Sequence, residues 1–476
     1  MLNKQENICL LCSLGCGFII ESVFGEAVNL EYMSNDSTFG GSLCSKGNYM
    51  IELLNHPSRL IEPSAGGEAL TWKDALSRTA EALGKEKGSA GIIISGDASL
   101  EDTASAGLFA AQCIGNGSFA VHFATGDDNV IGALAESGSS AMASIEDIGT
   151  SQCTIAVGDP FEVGPVISGK VISAKHARRG NMLAVVSDSP NRTSRFASSH
   201  LSGNVRKNLA ELLRAVVDIS GDGDASWKDI VRKKYPVSQN AVVKDLAERF
   251  MKAESAVLML ETQDTVAAEL ASLIVEAAGD SKKLYPLNTY GNAEGICAVL
   301  EASGNKKQSA EDIISAALKG KLKSLIVLGA DILKGMPEKD AEALRDKVDF
   351  IIAGAPFENE TTKAADIVLP TALWLETEGT YIGTGRSPVV NPPGGAISYG
   401  EIFRKLAAEM NQILPPGPIK TEMMRKAPSD ERVSALLKDI ENEAPEPVNR
   451  STTLSYADGS LTDNMGWIKL QKRDAW

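Results

Sequence analysis

Beyond residue 60, short apolar runs alternate with longer stretches in which Ala and Leu recur at helical spacing. Gly91–Ile94, Cys153–Val157, Leu183–Val186, Ala256–Leu260, Leu325–Leu328 and Phe350–Ala353 are each apolar, brief and closed by turn-forming or charged residues. Runs of that kind predict strands buried on both faces. The amphipathic stretches between them predict helices that cover both faces of a parallel sheet. Several runs pass directly into turns: Ser95-Gly96-Asp97, Gly158-Asp159-Pro160 and Gly329-Ala330-Asp331. In open α/β sheets ligands sit beyond such carboxyl ends, although the same residues also serve simply to turn a chain.

The pattern breaks at Ser220-Gly221-Asp222-Gly223-Asp224, read as an exposed loop, and at Pro415-Pro416-Gly417-Pro418, read as a stop to regular structure. Residues 419–476 are polar and interrupted by Glu443-Ala444-Pro445-Glu446-Pro447. They are expected to wrap over the body or meet a partner, not to build core.

Composition narrows the function. The 476 residues are enough for about three domains at roughly 150 residues each, so the fold needs no disulfide staples. Lys and Arg number 47 against 62 Asp and Glu, a net charge of -15, with no basic run. That balance sets aside nucleic acid and anionic membranes as partners. No apolar stretch is long enough to span a bilayer, and the polar opening is unlike a signal peptide, so a cytoplasmic protein without direct membrane insertion is expected.

The cysteines carry the chemistry. Four of the seven fall in the first 44 residues as Cys9, Cys12, Cys16 and Cys44, spaced C-x2-C-x3-C-x27-C. Structural zinc sites usually pair two C-x-x-C knuckles, whereas three close thiolates and a remote fourth suit the corners of a [4Fe-4S] cubane. Zinc and unligated thiols remain the alternatives. Gly15 and Gly17 give the loop the backbone freedom to fold closely around sulfide, or make an ordinary turn. Cys113, Cys153 and Cys297 sit in apolar contexts and are read as buried hydrophobes. His56, His122, His176 and His200 are isolated and are assigned surface or capping roles.

Around this motif the sequence resembles the molybdopterin oxidoreductase family, which includes formate dehydrogenases and the large iron-sulfur subunit of NADH-quinone oxidoreductase. The resemblance rests on Cys44-Ser45-Lys46-Gly47, His56-Pro57-Ser58-Arg59-Leu60 and Thr71-Trp72-Lys73-Asp74-Ala75-Leu76 near the start. It continues near the other end in Ala365-Asp366-Ile367-Val368-Leu369-Pro370, Glu376-Thr377-Glu378-Gly379-Thr380-Tyr381 and Gly385-Arg386. It implies an α/β chain with a small N-terminal iron-sulfur domain and two doubly wound, Rossmann-like parallel-sheet domains, one of them discontinuous. The expected division is 1–60 for the cluster domain, 61–124 with 254–412 for the discontinuous domain, 125–253 for the inserted one, and 413–476 for a peripheral tail. Lys46 inherits, by resemblance, a place between cluster and pterin. A cation there would offset the charge of four thiolates and raise the cluster potential, and the plain alternative is a solvated turn lysine.

Three departures shape the functional expectation. Catalytic members carry a metal-ligating cysteine or selenocysteine about sixteen residues before a Gly-x-Gly-Ala-Met turn. Here the turn is Gly138-Ser139-Ser140-Ala141-Met142 and the matching place is Thr125-Gly126. A hydroxyl is a poor replacement for a soft, readily ionised thiolate. The family's nucleotide-gripping Pro-Gly-Thr-Asp corresponds to Ser202-Gly203-Asn204-Val205-Arg206, without the acid. The chain also stops about 70 residues after Phe403-Arg404-Lys405-Leu406, where catalytic members usually continue into a closing domain. The expected function is therefore electron transfer through one [4Fe-4S] cluster, without a molybdenum or tungsten pterin, in a complex with iron-sulfur or flavin subunits. The alternative is a catalytic pterin subunit acting on formate or a similar small substrate, its closing domain on another chain. A scaffold with a purely structural cluster is the third possibility.

Overall fold

The computed structural model describes residues 2–442 and 444, apart from 36–37, 86–87, 139–141, 222–224, 304–307, 383 and 418. The chain opens with an antiparallel three-stranded sheet, β1 (Leu2–Ile8), β2 (Gly17–Val23) and β3 (Glu26–Tyr32), in that order. Strand β2 turns Phe18, Ile20 and Ser22 inward while Ile19, Glu21 and Val23 are only partly covered. That period of two is what a sheet covered on one face requires. The edge strand β1 is mostly exposed and polar, so no apolar run betrays it in the sequence.

Two large sheets follow. The first contains β4 (Ser64–Ala65), β5 (Glu68–Ala69), β6 (Ala90–Ser95), β7 (Phe119–His122), β13 (Ser324–Leu328), β14 (Phe350–Ala355) and β15 (Ile367–Pro370), in the order β5-β4-β15-β14-β13-β6-β7. The second contains β8 (Cys153–Val157), β9 (Met182–Ser187), β10 (Ser199–Ser202), β11 (Ala256–Leu260) and β12 (Lys282–Pro286), in the order β10-β9-β8-β11-β12. Strands β6 to β15 pair in parallel within their sheets, and only the short β4 and β5 pair antiparallel. A last hairpin, β16 (Gly379–Tyr381) and β17 (Thr384–Arg386), stands apart. Every residue of β6, β8, β9, β11 and β13 is buried, as expected for strands with a helix layer on each side.

All six strands read from the apolar runs are present. The division between the domains differs from the expected one. Strands β11 and β12 belong to the second sheet, so the inserted unit extends past 253 to Pro286. Leu260 and Val157 pair side by side, and this contact between strands about a hundred residues apart leaves no mark in the sequence. The tail also differs. Within it, the helix Asp430–Asp439 buries Val433 and Leu436, and Ile440 follows, all in the same apolar core as β8 and β11. Arg432 pairs with the buried Glu269, and Arg206 donates to the carbonyls of Asp439 and Asn442 at 3.1 and 2.9 Å. Residues 430–440 therefore build core, because their apolar positions recur at the spacing of one helix face. Asp222–Asp224, Pro418 and the Pro445–Pro447 break lie outside the described residues.

Candidate iron-sulfur site and the two sheet crevices

The loop between β1 and β2 is the centre of the site. Cys9 directly follows β1 and Cys16 directly precedes β2, and the Cys9 amide donates to the Cys16 carbonyl at 2.9 Å, closing an eight-residue neck. Gly15 adopts φ +61 inside it, a conformation that L side chains rarely take. The loop is clamped from outside by the segment after β12. The Ser13 amide donates to the Asn288 carbonyl at 3.0 Å, the Asn288 amide to Ser13 Oγ at 2.9 Å, and the Gly291 amide to the Leu10 carbonyl at 3.0 Å. A Cβ on Gly291 would lie 2.9 Å from Leu10 Cα, so only glycine lets the two backbones approach.

Cys44 arrives from the other side, at the start of the short helix Ser45–Asn48. Asn48 holds that turn by donating from Nδ2 to the carbonyls of Cys44 and Leu43. The four thiols line one cavity together with Leu11, Leu14, Leu43, Gly47 and the Gly164-Pro165-Val166 segment. None of the four is in a disulfide, and Cys9, Cys12 and Cys16 are buried while Cys44 is partly exposed. Among the described residues no three His, Cys, Asp or Glu side chains stand together as ligands of a single ion. The thiols instead face one another across the cavity.

Their ionisation is mutually opposed. Burial pushes the Cys9 thiol well above its usual range, and neighbouring charge on Cys44 and Cys12 raises it further. Burial pushes Cys12 up to about 11 even though the Lys46 ammonium pulls it down. Lys46 is 4% exposed and its Nζ lies 3.4 Å from the Val163 carbonyl, so it is no solvated turn lysine. Four thiolates crowded in an apolar cavity require positive charge between them, and an iron-sulfur core supplies it.

The other residues of the matching motifs serve the frame. Arg59 and Glu376 form a buried bidentate pair at 2.7 and 2.7 Å, with side chains 4% and 1% exposed, which ties the two ends of the matching sequence together. His56 packs edge-on against Phe357, and its Nδ1 accepts from the Ser58 amide. His176 is exposed, and His200 Nε2 lies 2.9 Å from Ser187 Oγ. His122 departs from the surface role expected of it, for its Nδ1 is buried without a partner and burial lowers its pKa. Cys113, Cys153 and Cys297 are buried in the apolar cores.

Thr125 is 2% exposed and donates from Oγ1 to Asp127 Oδ1 at 3.1 Å. Asp127 also accepts from the Tyr290 amide at 2.8 Å, and Tyr290 packs edge-on against Phe123. Ser139, Ser140 and Ala141, the middle of the matching turn, lie outside the described residues.

Each large sheet reverses strand order once, and crevices for ligands form at such points. In the five-stranded sheet the reversal falls between β8 and β11, beside a cavity of about 440 Å³. Asp159, Glu162, Asp188, Glu261 and Asp264 line it, with Arg206 as their cationic neighbour. Arg206 is bound by Asp264 at 2.6 and 2.9 Å, and Asn442 and Ala444 of the tail cover the rim. In the seven-stranded sheet the reversal falls between β6 and β13. There a Cβ on Gly329 would lie 1.9 Å from the Tyr399 hydroxyl, which therefore fills the opening, with Asp97 beside it at 3.5 Å. The sequence offered Asp97 and Asp159 as strand-end turns, but not the acids that join them, because those come from separate strand ends.

The fold has close counterparts among solved structures. Acetylene hydratase from Pelobacter acetylenicus superposes with a TM-score of 0.69 at 18% identity, over 86% of this chain and 69% of that one. A chain of the formyltransferase/hydrolase complex from Methylorubrum extorquens gives 0.52 at 16% identity, over 73% of this chain and 98% of its own. In sequence, the alpha subunit of the F420-dependent formate dehydrogenase of Methanocaldococcus jannaschii is 26% identical, across 85% of this chain and 70% of that protein. The NADPH-Fe(3+) oxidoreductase subunit alpha of Geobacter sulfurreducens is 25% identical across 89% and 58%. Formate dehydrogenase H of Escherichia coli is 23% identical across 86% and 68%. No described helix is long and apolar enough to cross a membrane. The Molybdopterin oxidoreductase Fe4S4 domain matches residues 3–56 and Molybdopterin oxidoreductase itself residues 67–409, and by those matches the chain belongs to the molybdopterin oxidoreductase family.

Proposed function

We propose that this protein is an electron-transfer subunit of an oxidoreductase complex, holding one [4Fe-4S] cluster on Cys9, Cys12, Cys16 and Cys44 and carrying no pterin-bound metal. The convergence of those four thiols on one cavity, with the buried Lys46 beside them, is the observation that supports it. The cluster supplies one-electron chemistry when bound. Lys46 offsets its negative charge, and the apolar wall of Leu11, Leu14 and Val166 keeps water from the thiolates. Among the described residues no further group of metal ligands stands together, so a cluster on these thiols would pass electrons to neighbours, which accords with relatives whose names call them alpha subunits. Iron-sulfur or flavin subunits are the expected neighbours.

The residues do not fit a metal-bound pterin dinucleotide. Thr125 stands where a thiolate would ligate, and its hydroxyl is committed to Asp127. Five carboxylates line the crevice of the five-stranded sheet and would repel a pyrophosphate, with Arg206 already neutralised by Asp264. Tyr399 occupies the corresponding place in the other sheet.

The second reading is a catalytic molybdenum or tungsten subunit acting on formate, and the names of the relatives favour it. Elemental analysis of anaerobically purified native complex separates the two. About four irons assigned to this chain, beyond those of its partner subunits, with background molybdenum and tungsten is the expected result. One equivalent of either metal on this chain would promote the second reading.

A further inference from the structure

The cluster cavity is covered least on one side. Cys44 is the partly exposed ligand, and Leu43, Pro165 and Val166 around it are also only partly buried. Val166 is shared with an open surface groove that also contains Phe39, Ser42, Gly169, Lys170 and Ser173. The groove therefore abuts the thin wall of the cluster cavity. From that wall runs the helix Ile167–Ala177, about 16 Å long.

The charge of this region opposes that of the whole molecule. Residues 163–200 hold six Lys and Arg and a single Asp, in a chain of net charge -15. On the helix and just beyond it stand Lys170, Lys175, Arg178 and Arg179, the last two exposed. Lys175 Nζ donates to the Phe196 carbonyl at 2.6 Å, which fastens the short turn Thr193–Phe196 and its neighbours Arg192 and Arg195 to the same face. Phe196 is 47% exposed among these cations. Glu146, Asp147 and Glu162 stand at the margins, and Asp159 accepts from the Arg192 and Thr193 amides at 3.0 and 3.0 Å.

We propose that this basic face beside Cys44 is the docking surface for an acidic, ferredoxin-like electron carrier, and that electrons cross the Leu43–Cys44 and Pro165–Val166 wall. The proposal rests on the electron-transfer reading of the cluster. The net negative charge of the molecule disfavours an acidic carrier in general while these cations attract one to this face, so the long-range field favours an encounter with the two centres facing. Aromatic and arginine side chains at the centre of the patch suit a contact that forms and releases quickly. In the transfer one electron leaves the reduced carrier and enters the cluster, which goes from the 2+ to the 1+ state, and no bond or proton moves.

The test uses the anaerobically purified full-length protein with its cluster, and a plant-type [2Fe-2S] ferredoxin as the acidic probe. Binding is titrated at low and high salt. We expect affinity to fall as salt rises, and to fall at least tenfold in the variant Lys170→Glu/Arg178→Glu/Arg179→Glu. The milder Arg178→Gln/Arg179→Gln should give an intermediate loss. The control Lys339→Glu/Arg345→Glu/Lys347→Glu reverses the same number of charges on the helix Glu338–Lys347, against the other sheet, and should bind as the parent does. Unchanged visible absorption certifies the fold of each variant. Salt-independent binding, no binding, or equal losses in the two triple variants would overturn the docking surface. Whether dithionite bleaches the cluster is a separate readout: a cluster that cannot be reduced defeats the electron-transfer reading, while the titration still decides the surface.

Discussion

At the scale of single residues, burial opposes the ionisation of both Cys12 and Asp97. Cys12 sits 7% exposed among three other thiols, with burial opposing its ionisation and Lys46 assisting it. A serine there keeps the shape and removes the soft ligand, so Cys12→Ser should abolish or convert the broad visible absorption of the anaerobic protein. Cys297→Ser should leave it unchanged, because Cys297 lies in the apolar core of the seven-stranded sheet. Colour at full iron content in Cys12→Ser would rule out the ligand set. Asp97 holds no metal. Burial raises it from 3.8 to about 6, against hydrogen bonds from Ser95 and Tyr399. Because the folded state binds this proton more tightly than the unfolded chain, the contribution to stability is full below about pH 4 and is lost as pH climbs through about 6. Asp97→Asn cannot ionise, so the parent should lose roughly 2–3 kcal/mol relative to it between those pH values. Thermal unfolding of both across that window measures the difference, and parallel curves would contradict the burial of the carboxyl.

At the scale of elements, the helix Asp430–Asp439 is the piece whose role changed most. It lies against the helices Thr265–Ala278 and Ser226–Lys234, and it caps the crevice of the five-stranded sheet through Arg206. Its removal would uncover apolar core while leaving the cysteine loop untouched, since no cluster ligand contacts it. Deleting residues 419–476 should therefore lower the unfolding midpoint and retain the iron. Leu436→Ala, a single truncation at 3% exposure, should reproduce part of that loss at about 2–4 kcal/mol. Iron lost together with the tail, or a midpoint left unmoved, would mean that its packing is misassigned. The cysteine loop draws its rigidity from elsewhere, from the neck at Cys9 and Cys16 and from the Asn288–Gly291 clamp. A loop fixed by two sheets at once changes shape little when an electron arrives.

At the scale of the whole molecule, two parallel sheets meet a small iron-sulfur layer and bring it to one surface. Each sheet keeps its strand reversal, the place where such folds hold ligands, yet acidic side chains line one crevice and Tyr399 fills the other. On the proposed reading the fold serves as a frame for the cluster site, and function follows the site and not the fold. The iron content expected from four thiols and the orientation expected from an uneven charge distribution are both properties of the assembled molecule. Neither belongs to any one element.

The sequence by itself determined the chemistry of the N-terminus, because Cys9, Cys12 and Cys16 are neighbours along the chain and their spacing is visible without a fold. It also determined the buried strands, whose unbroken apolar runs follow from helices on both faces. It did not reveal β1 and β3, which are partly exposed and polar, nor the membership of β11 and β12, which depends on pairing across about a hundred residues. The amphipathic helix at 430 was legible in principle but was hidden among polar neighbours and prolines. Only the tertiary structure decided that Lys46 is buried, that Arg59 meets Glu376 across the length of the chain, and that Lys170 borders the groove shared with Val166. Each of these depends on which distant segments pack together, and packing is a property of the folded surface that local sequence does not encode.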